Sequence, residues 1–145
     1  MYEVNAESVL AAFGAFVQGT PEAIMLAVAS AAPSDAARTA IGSSARQLGF
    51  NAGACAWLAT AADGIALGPE ELGTIVEGID PLAVVCLDAD AAALFGQAYR
   101  CELALDAFAR VKGRNVVAFE RFDALLGESS DKQRAWALLK RLRTR

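Results

Sequence analysis

The apolar positions of this chain follow two patterns that alternate along the sequence. Helical spacing of three and four predicts a first helix, capped by Asn5, and further helices over about 35–48 and 69–78. The apolar positions of the first helix are Val9, Leu10, Phe13, Phe16 and Val17, and a final helix is predicted with Ala135, Leu138, Leu139 and Leu142 on one side. Short, mostly apolar runs are typical of strands buried on both faces, and they occupy residues 24–29, 55–60, 83–87 and 115–119.

Another helix is predicted between the third and fourth strands, with Asp88 or Asp90 as its cap. Its apolar face would carry Leu94, Ala98, Cys101 and Leu105. Strands joined by helical crossovers pair in parallel and are covered by helices on both faces. The sequence therefore predicts an α/β fold in one domain over residues 1–145, a three-layer α/β/α sandwich around a four-stranded parallel sheet.

Composition narrows the chemistry that the chain can perform. Histidine is absent, which excludes histidine-based triads, histidine general bases and histidine metal ligands. Cys55, Cys86 and Cys101 are too widely spaced for a disulfide framework or a metal motif, so no metal site and no cofactor are expected. The acidic N-terminus lacks a signal-peptide pattern and no apolar run is long enough to cross a membrane, which predicts a cytoplasmic protein without membrane contact.

Charge is distributed unevenly along the chain. Residues 1–99 contain two basic and eleven acidic side chains, whereas residues 100–145 contain eleven basic and six acidic ones. The basic positions near the C-terminus form either a solvated helix face or an interaction surface for an acidic protein partner or a nucleic-acid backbone. The candidate interaction surface comprises Lys132, Arg134, Lys140, Arg141, Arg143 and Arg145.

Three segments carry a resemblance to a known family. The stretch VVCLDADAA at 84–92 is similar to a strand-to-helix segment of the iron–sulfur class of uracil-DNA glycosylases. The stretch RFDALL at 121–126 occupies the place of that family's HPSALL motif, and KQRAW with LKRL over 132–142 resembles its closing helix. The resemblance implies a uracil-DNA glycosylase type of fold and a base-binding pocket at the carboxyl ends of the strands.

The resemblance also implies that this pocket has lost its chemistry. Ala31 stands where the family has the carboxylate that activates water, and serines replace the two glycines that admit the flipped base. The family's uracil-reading Asn is replaced by Thr60, and its His-Pro pair by Arg121 and Phe122. The cluster cysteines are missing, so no iron–sulfur cluster is expected. The vestigial pocket comprises Ser30, Ala31, Ala32, Pro33, Ser34, Thr60, Asp88, Arg121, Phe122 and Asp123.

Three hypotheses remain open on the sequence alone. The first is a non-catalytic scaffold or interaction domain linked to DNA replication or repair; the psi subunit of bacterial DNA polymerase III resembles this fold and works by binding partners. The second is a divergent glycosylase or nucleotide-processing enzyme that uses Asp63, Asp88 or Asp123, as acid or base or around Mg²⁺. The third is an unrelated α/β domain. Five acids and a single base, Arg121, follow the strands, which disfavours DNA at this edge.

Overall fold

The computed structural model describes residues 6–20, 23–50 and 55–143. Within them, helices and strands alternate along most of the chain. The helices are α1 (Ala6–Phe13), α2 (Asp35–Gln47), α3 (Pro69–Ile79), α4 (Ala89–Ala98) and α5 (Ser129–Leu139). The strands are β1 (Val17–Gly19), β2 (Met25–Ala29), β3 (Cys55–Ala59), β4 (Ala61–Ala62), β5 (Ile65–Ala66), β6 (Ala83–Cys86), β7 (Ala107–Val111) and β8 (Arg114–Ala118). Two 3-10 turns cover Phe122–Leu125 and Lys140–Arg143.

The main sheet has six strands in the order β1-β3-β2-β6-β8-β7. The four strands that the sequence predicts, β2, β3, β6 and β8, pair in parallel with one another. Strands β1 and β7 pair antiparallel to them at the two edges. The α/β class is therefore confirmed, but the prediction of a four-stranded, wholly parallel sheet is wrong.

Strand β7 was not predicted from the sequence, because the helix before it was predicted to extend to Leu105. Helix α4 ends at Ala98, and Arg100 takes a left-handed backbone conformation at φ 54° that ends the helical path. The chain then folds back so closely that a Cβ on Gly96 would lie 2.6 Å from the carbonyl oxygen of Cys101. The predicted apolar face through Cys101 and Leu105 is therefore wrong, and both side chains are exposed.

Buried side chains cover both faces of the sheet. Alternate residues of β2 point to opposite sides, so that Leu26 and Val28 join one core and Met25 and Ala27 join the other. The first core includes buried residues of α3 and α4, and the second includes those of α2 and α5. Burial on both faces explains why the central strands are short, continuous apolar runs.

Local signals in the sequence fix several boundaries. Helix α2 begins after Ser34, whose hydroxyl accepts a hydrogen bond from the amide of Ala37 at 3.1 Å. The predicted Asp63-Gly64 turn is confirmed, because both residues have positive φ and join β4 to β5. The expected cap Asn5 lies outside the described residues. No helix in the described part of the chain combines the length and the apolar character that a membrane span requires.

One buried charge joins β8 to the layer of helices. The Arg114 side chain is only 9% exposed and forms ion pairs with Glu77 at 2.7 Å and Asp80 at 2.8 Å. Its Nε also donates to the carbonyl of Pro81 at 3.0 Å. Tyr99 donates its hydroxyl to the same Glu77 at 2.8 Å, and burial together with this carboxylate raises the pKa of the phenol. A network of four side chains and the Pro81 carbonyl therefore connects α3, the end of α4 and β8.

Replacing Arg114 with Met should lower the free energy of unfolding by about 1–2 kcal/mol. The variant loses the buried guanidinium group and its hydrogen bonds to Glu77, Asp80 and the Pro81 carbonyl. The acids themselves stay solvated, which limits the cost. Urea denaturation followed by circular dichroism measures the change. Arg110→Met on the adjacent strand is the matched control, because Arg110 is exposed and should cost less than about 0.5 kcal/mol. Equal losses in the two variants would contradict the role assigned to the network.

Candidate functional site

The loops that follow the parallel strands meet at one edge of the sheet, where ligands bind in open α/β folds. The amide of Leu87 donates to the carbonyl of Val28 at 2.8 Å, and the amide of Phe122 donates to the carbonyl of Leu87 at 3.0 Å. The amide of Ala89 donates to the carbonyl of Glu120 at 3.0 Å. These bonds bring the segments after β2, β6 and β8 side by side.

A small cavity lies between these three segments. Its volume is about 130 Å³, whereas pockets for drug-sized ligands hold roughly 300–1,000 Å³. The lining residues are Ala29, Ala31, Ala32, Pro33, Ala37, Leu87, Asp88, Arg121, Phe122 and Asp123. Seven of the ten residues predicted for the vestigial pocket thus line one cavity. We call this cavity the strand-end pocket.

The other three predicted residues take different positions. Ser30 and Ser34 do not line the cavity but are hydrogen-bonded to its two carboxylates. Thr60 is buried between β3 and the β4–β5 hairpin. Its amide donates to the carbonyl of Ala29 at 2.9 Å, and its carbonyl accepts from the amide of Leu67 at 2.8 Å. Thr60 is therefore a structural residue between β3 and the hairpin rather than a lining residue.

Asp88 uses both carboxylate oxygens to hold the protein backbone. Oδ1 accepts from the amide of Ala91 at 2.8 Å and caps α4, and Oδ2 accepts from the amide of Ser30 at 2.9 Å. The prediction that Asp88 or Asp90 caps this helix is therefore confirmed for Asp88. Burial, and secondarily the charge of Asp88, raise the pKa of the Cys86 thiol, which keeps this cysteine protonated and unreactive.

Asp123 is engaged in a similar way by the start of α2. The hydroxyl of Ser34 donates to Asp123 Oδ1 at 2.5 Å while it accepts the capping bond from Ala37. Asp63 lies in the hairpin turn and is absent from the lining of the cavity. Within residues 6–20, 23–50 and 55–143, no three His, Cys, Asp or Glu side chains lie close enough together to hold a metal ion.

Phe122 closes the floor of the strand-end pocket. Its side chain is 2% exposed and its ring lies 5.0 Å from that of Phe119, centroid to centroid. Phe122 also lines a groove of about 500 Å³ between α2 and α5, so the same buried residue contributes to both spaces.

The candidate basic surface does not form one continuous patch. Arg134 is paired with Asp131, and Lys132 lines the groove between α2 and α5. The 3-10 turn after α5 carries the remaining described cations: Lys140 lies 6.0 Å from the Trp136 ring centre, Arg141 lies 4.3 Å from that of Phe108, and Arg143 is exposed. Arg145 lies outside the described residues.

One further basic residue at this end of the molecule was not predicted from the sequence. Arg110 lies on β7 and lines, with Arg143, a cavity at the amino ends of the parallel strands. Its charge was visible in the sequence, but its position was not, because β7 was not predicted. The Lys112-Gly113 pair, in which both residues have positive φ, is the turn signal that could have revealed a hairpin here.

Comparisons with known proteins add no identification. No family model matches this chain, and no curated protein matches it at a significant level.

The double role of Asp88 can be tested by substitution. Asp88→Ala should lower the free energy of unfolding by about 1–2 kcal/mol, because it removes the cap of α4 and leaves the Ser30 amide without its acceptor. Guanidinium denaturation of both proteins measures the loss.

Asp90→Ala is the matched control, because Asp90 is exposed in the first turn of the same helix and should cost less than about 1 kcal/mol. If Asp88→Ala were as stable as Asp90→Ala, Asp88 would not have the structural role that its hydrogen bonds indicate.

Proposed function

We propose that this chain is a non-catalytic interaction domain with a uracil-DNA glycosylase-like architecture, linked to DNA replication or repair. The observation that carries the proposal is the state of the strand-end pocket. Ala31 stands where the resemblance requires a water-activating carboxylate. The two carboxylates that line the cavity, Asp88 and Asp123, both accept hydrogen bonds from groups of the protein.

The geometry of the pocket supports the absence of glycosylase chemistry. Removal of a base requires space for the flipped nucleotide and a carboxylate free to orient water. The strand-end pocket, at about 130 Å³, is smaller than the roughly 300–1,000 Å³ of pockets for drug-sized ligands, and a whole nucleotide is a ligand of that size. Asp88 accepts one hydrogen bond on each carboxylate oxygen and Asp123 accepts one on Oδ1, so the protein itself fixes the orientation of both carboxylates.

The electrostatics of the same edge support this interpretation. The segments that follow the four parallel strands contain one basic residue, Arg121, and five exposed or half-buried acids: Asp63, Asp88, Asp90, Glu120 and Asp123. A phosphodiester backbone binds where cations and free amides collect, and carboxylates repel it. The edge that would hold DNA in a glycosylase is thus poorly suited to do so here.

The three basic residues on the 3-10 turn after α5 form the proposed interaction surface. Lys140, Arg141 and Arg143 are exposed, and within the described residues none of them forms an ion pair with a carboxylate. Charges of one sign on a small area attract a partner of opposite sign and accelerate its association. We therefore propose that an acidic partner binds at this end of the molecule.

The absence of catalysis has a direct assay. The purified full chain, incubated with a single-stranded or double-stranded uracil-containing oligonucleotide, should release no uracil above a no-enzyme control after alkaline strand cleavage. Excision that is lost in Asp123→Ala but kept in Asp90→Ala would overturn the proposal and favour a divergent glycosylase that uses the strand-end carboxylates.

The interaction surface has its own test. Reversal of Lys140, Arg141 and Arg143 to Glu should abolish salt-sensitive retention of proteins from cell extract on the immobilised chain. The matched control reverses Arg46, Arg100 and Arg121 to Glu, which changes the net charge equally at other exposed positions. Equal loss in both triple variants would indicate a general charge effect and would count against the surface.

A further inference from the structure

A cavity outside the strand-end pocket lies at the amino ends of the parallel strands, opposite the carboxyl ends. Its volume is about 760 Å³, and it lies where β6 and β8 begin. Its apolar lining includes Leu48, Phe50, Leu82 and Leu142. We call it the amino-edge cavity.

The charged residues that line the amino-edge cavity are both arginines. Arg110 and Arg143 are exposed at its rim, and no described lining residue is acidic. A third guanidinium lies nearby, because Arg141 covers the ring of Phe108, which is two residues from Arg110 and on the same face of β7. An apolar floor is therefore bordered by clustered positive charge.

Both rim arginines are carried by well-fixed backbone. Arg110 is paired in the β7–β8 ladder with Asn115. The Asn115 side-chain nitrogen donates to the carbonyl of Leu142 at 2.8 Å and so fixes the 3-10 turn that bears Arg143. The Leu142 side chain is 3% exposed beneath the cavity. Rigid support of this kind reduces the entropy that a ligand must remove on binding.

Leu82 is an apolar residue of the amino-edge cavity that is exposed to solvent. It is 66% exposed, the highest value among the large hydrophobic residues described. A single exposed leucine is ordinary on a protein surface. Leu82, however, lies in a concave site beside two arginines, where an incoming apolar side chain would cover it.

We propose that the amino-edge cavity binds an acidic segment of a protein partner, which inserts one apolar side chain against Leu82 and Leu142. The carboxylates of that segment lie against Arg110 and Arg143, whose forked guanidinium groups suit bidentate pairing with carboxylate. This inference rests on the proposed function, because it assigns the class of partner that the basic end of the domain recognises.

The observations favour an acidic peptide over a nucleic acid. Nucleic-acid backbones are held by an extended row of cations, and exposed bases are held by stacking on aromatic rings. Here the arginines border a single concavity, and its floor is mainly aliphatic.

The test uses the full chain and a fluorescein-labelled synthetic peptide in which one phenylalanine is flanked by aspartates. Fluorescence anisotropy should give saturable binding that weakens as salt is added. Arg110→Glu and Arg143→Glu should each weaken it about tenfold or more. Leu82→Ser should also weaken it, as should replacement of the phenylalanine in the peptide by serine.

Arg121→Glu provides the matched control, because this exposed arginine lies at the opposite edge of the sheet and should leave the affinity unchanged. Thermal unfolding establishes that each variant is folded, which is expected because the substituted side chains are exposed. No binding of the peptide, or binding that ignores Arg110, Arg143 and Leu82, would overturn the inference. Tighter binding of a labelled oligothymidine, or concentration-dependent self-association that the same variants abolish, would also overturn it.

The two proposals can fail separately. If the peptide does not bind but uracil excision is absent and retention still depends on Lys140, Arg141 and Arg143, only the assignment of the amino-edge cavity fails. If excision is observed and depends on Asp123, the proposed non-catalytic function fails, whatever the peptide does.

Discussion

Burial of the central strands on both faces is the constraint on which the rest of this structure depends. Strands β2 and β6 have partners on both sides and a hydrophobic core above and below them, so nearly all of their side chains must be apolar. Polar and charged groups are thereby confined to the ends of the strands and to the outer faces of the helices. The ends of the strands consequently carry many of the charged groups, with Asp88 and Asp123 near the carboxyl ends and Arg110 and Arg143 near the amino ends.

The carboxylates near the carboxyl ends of the strands act mainly as structural groups. Asp88 satisfies an unpaired amide at the start of α4 and another in the loop after β2, and Ser34 links Asp123 to the start of α2. A free amide at a helix start is costly when it is withdrawn from water, so such bonds stabilise the closed arrangement of the loops.

The sequence was sufficient to predict the parts of the fold that rest on local patterns. The central apolar runs, the Asp63-Gly64 turn and the cap of α4 all follow from residue spacing or side-chain chemistry. The edge strands did not, because β1 has three residues and β7 alternates weakly between half-buried positions. The membership of the strand-end pocket was largely predictable, since parallel strands bring their carboxyl ends together. The inward position of Thr60 and the location of Arg110 depend on long-range packing that residue spacing does not encode.

The amino-edge cavity is assembled from four segments that are distant in the chain, around Leu48, Leu82, Arg110 and Leu142. None of these segments forms a concave surface alone, so the cavity exists only when the sheet and the last turn have docked. Any molecule that occupies it must therefore stabilise the native state relative to the unfolded chain, by an amount that grows with the logarithm of its concentration above the dissociation constant. Recognition at this edge is thermodynamically linked to cooperative folding of the whole domain.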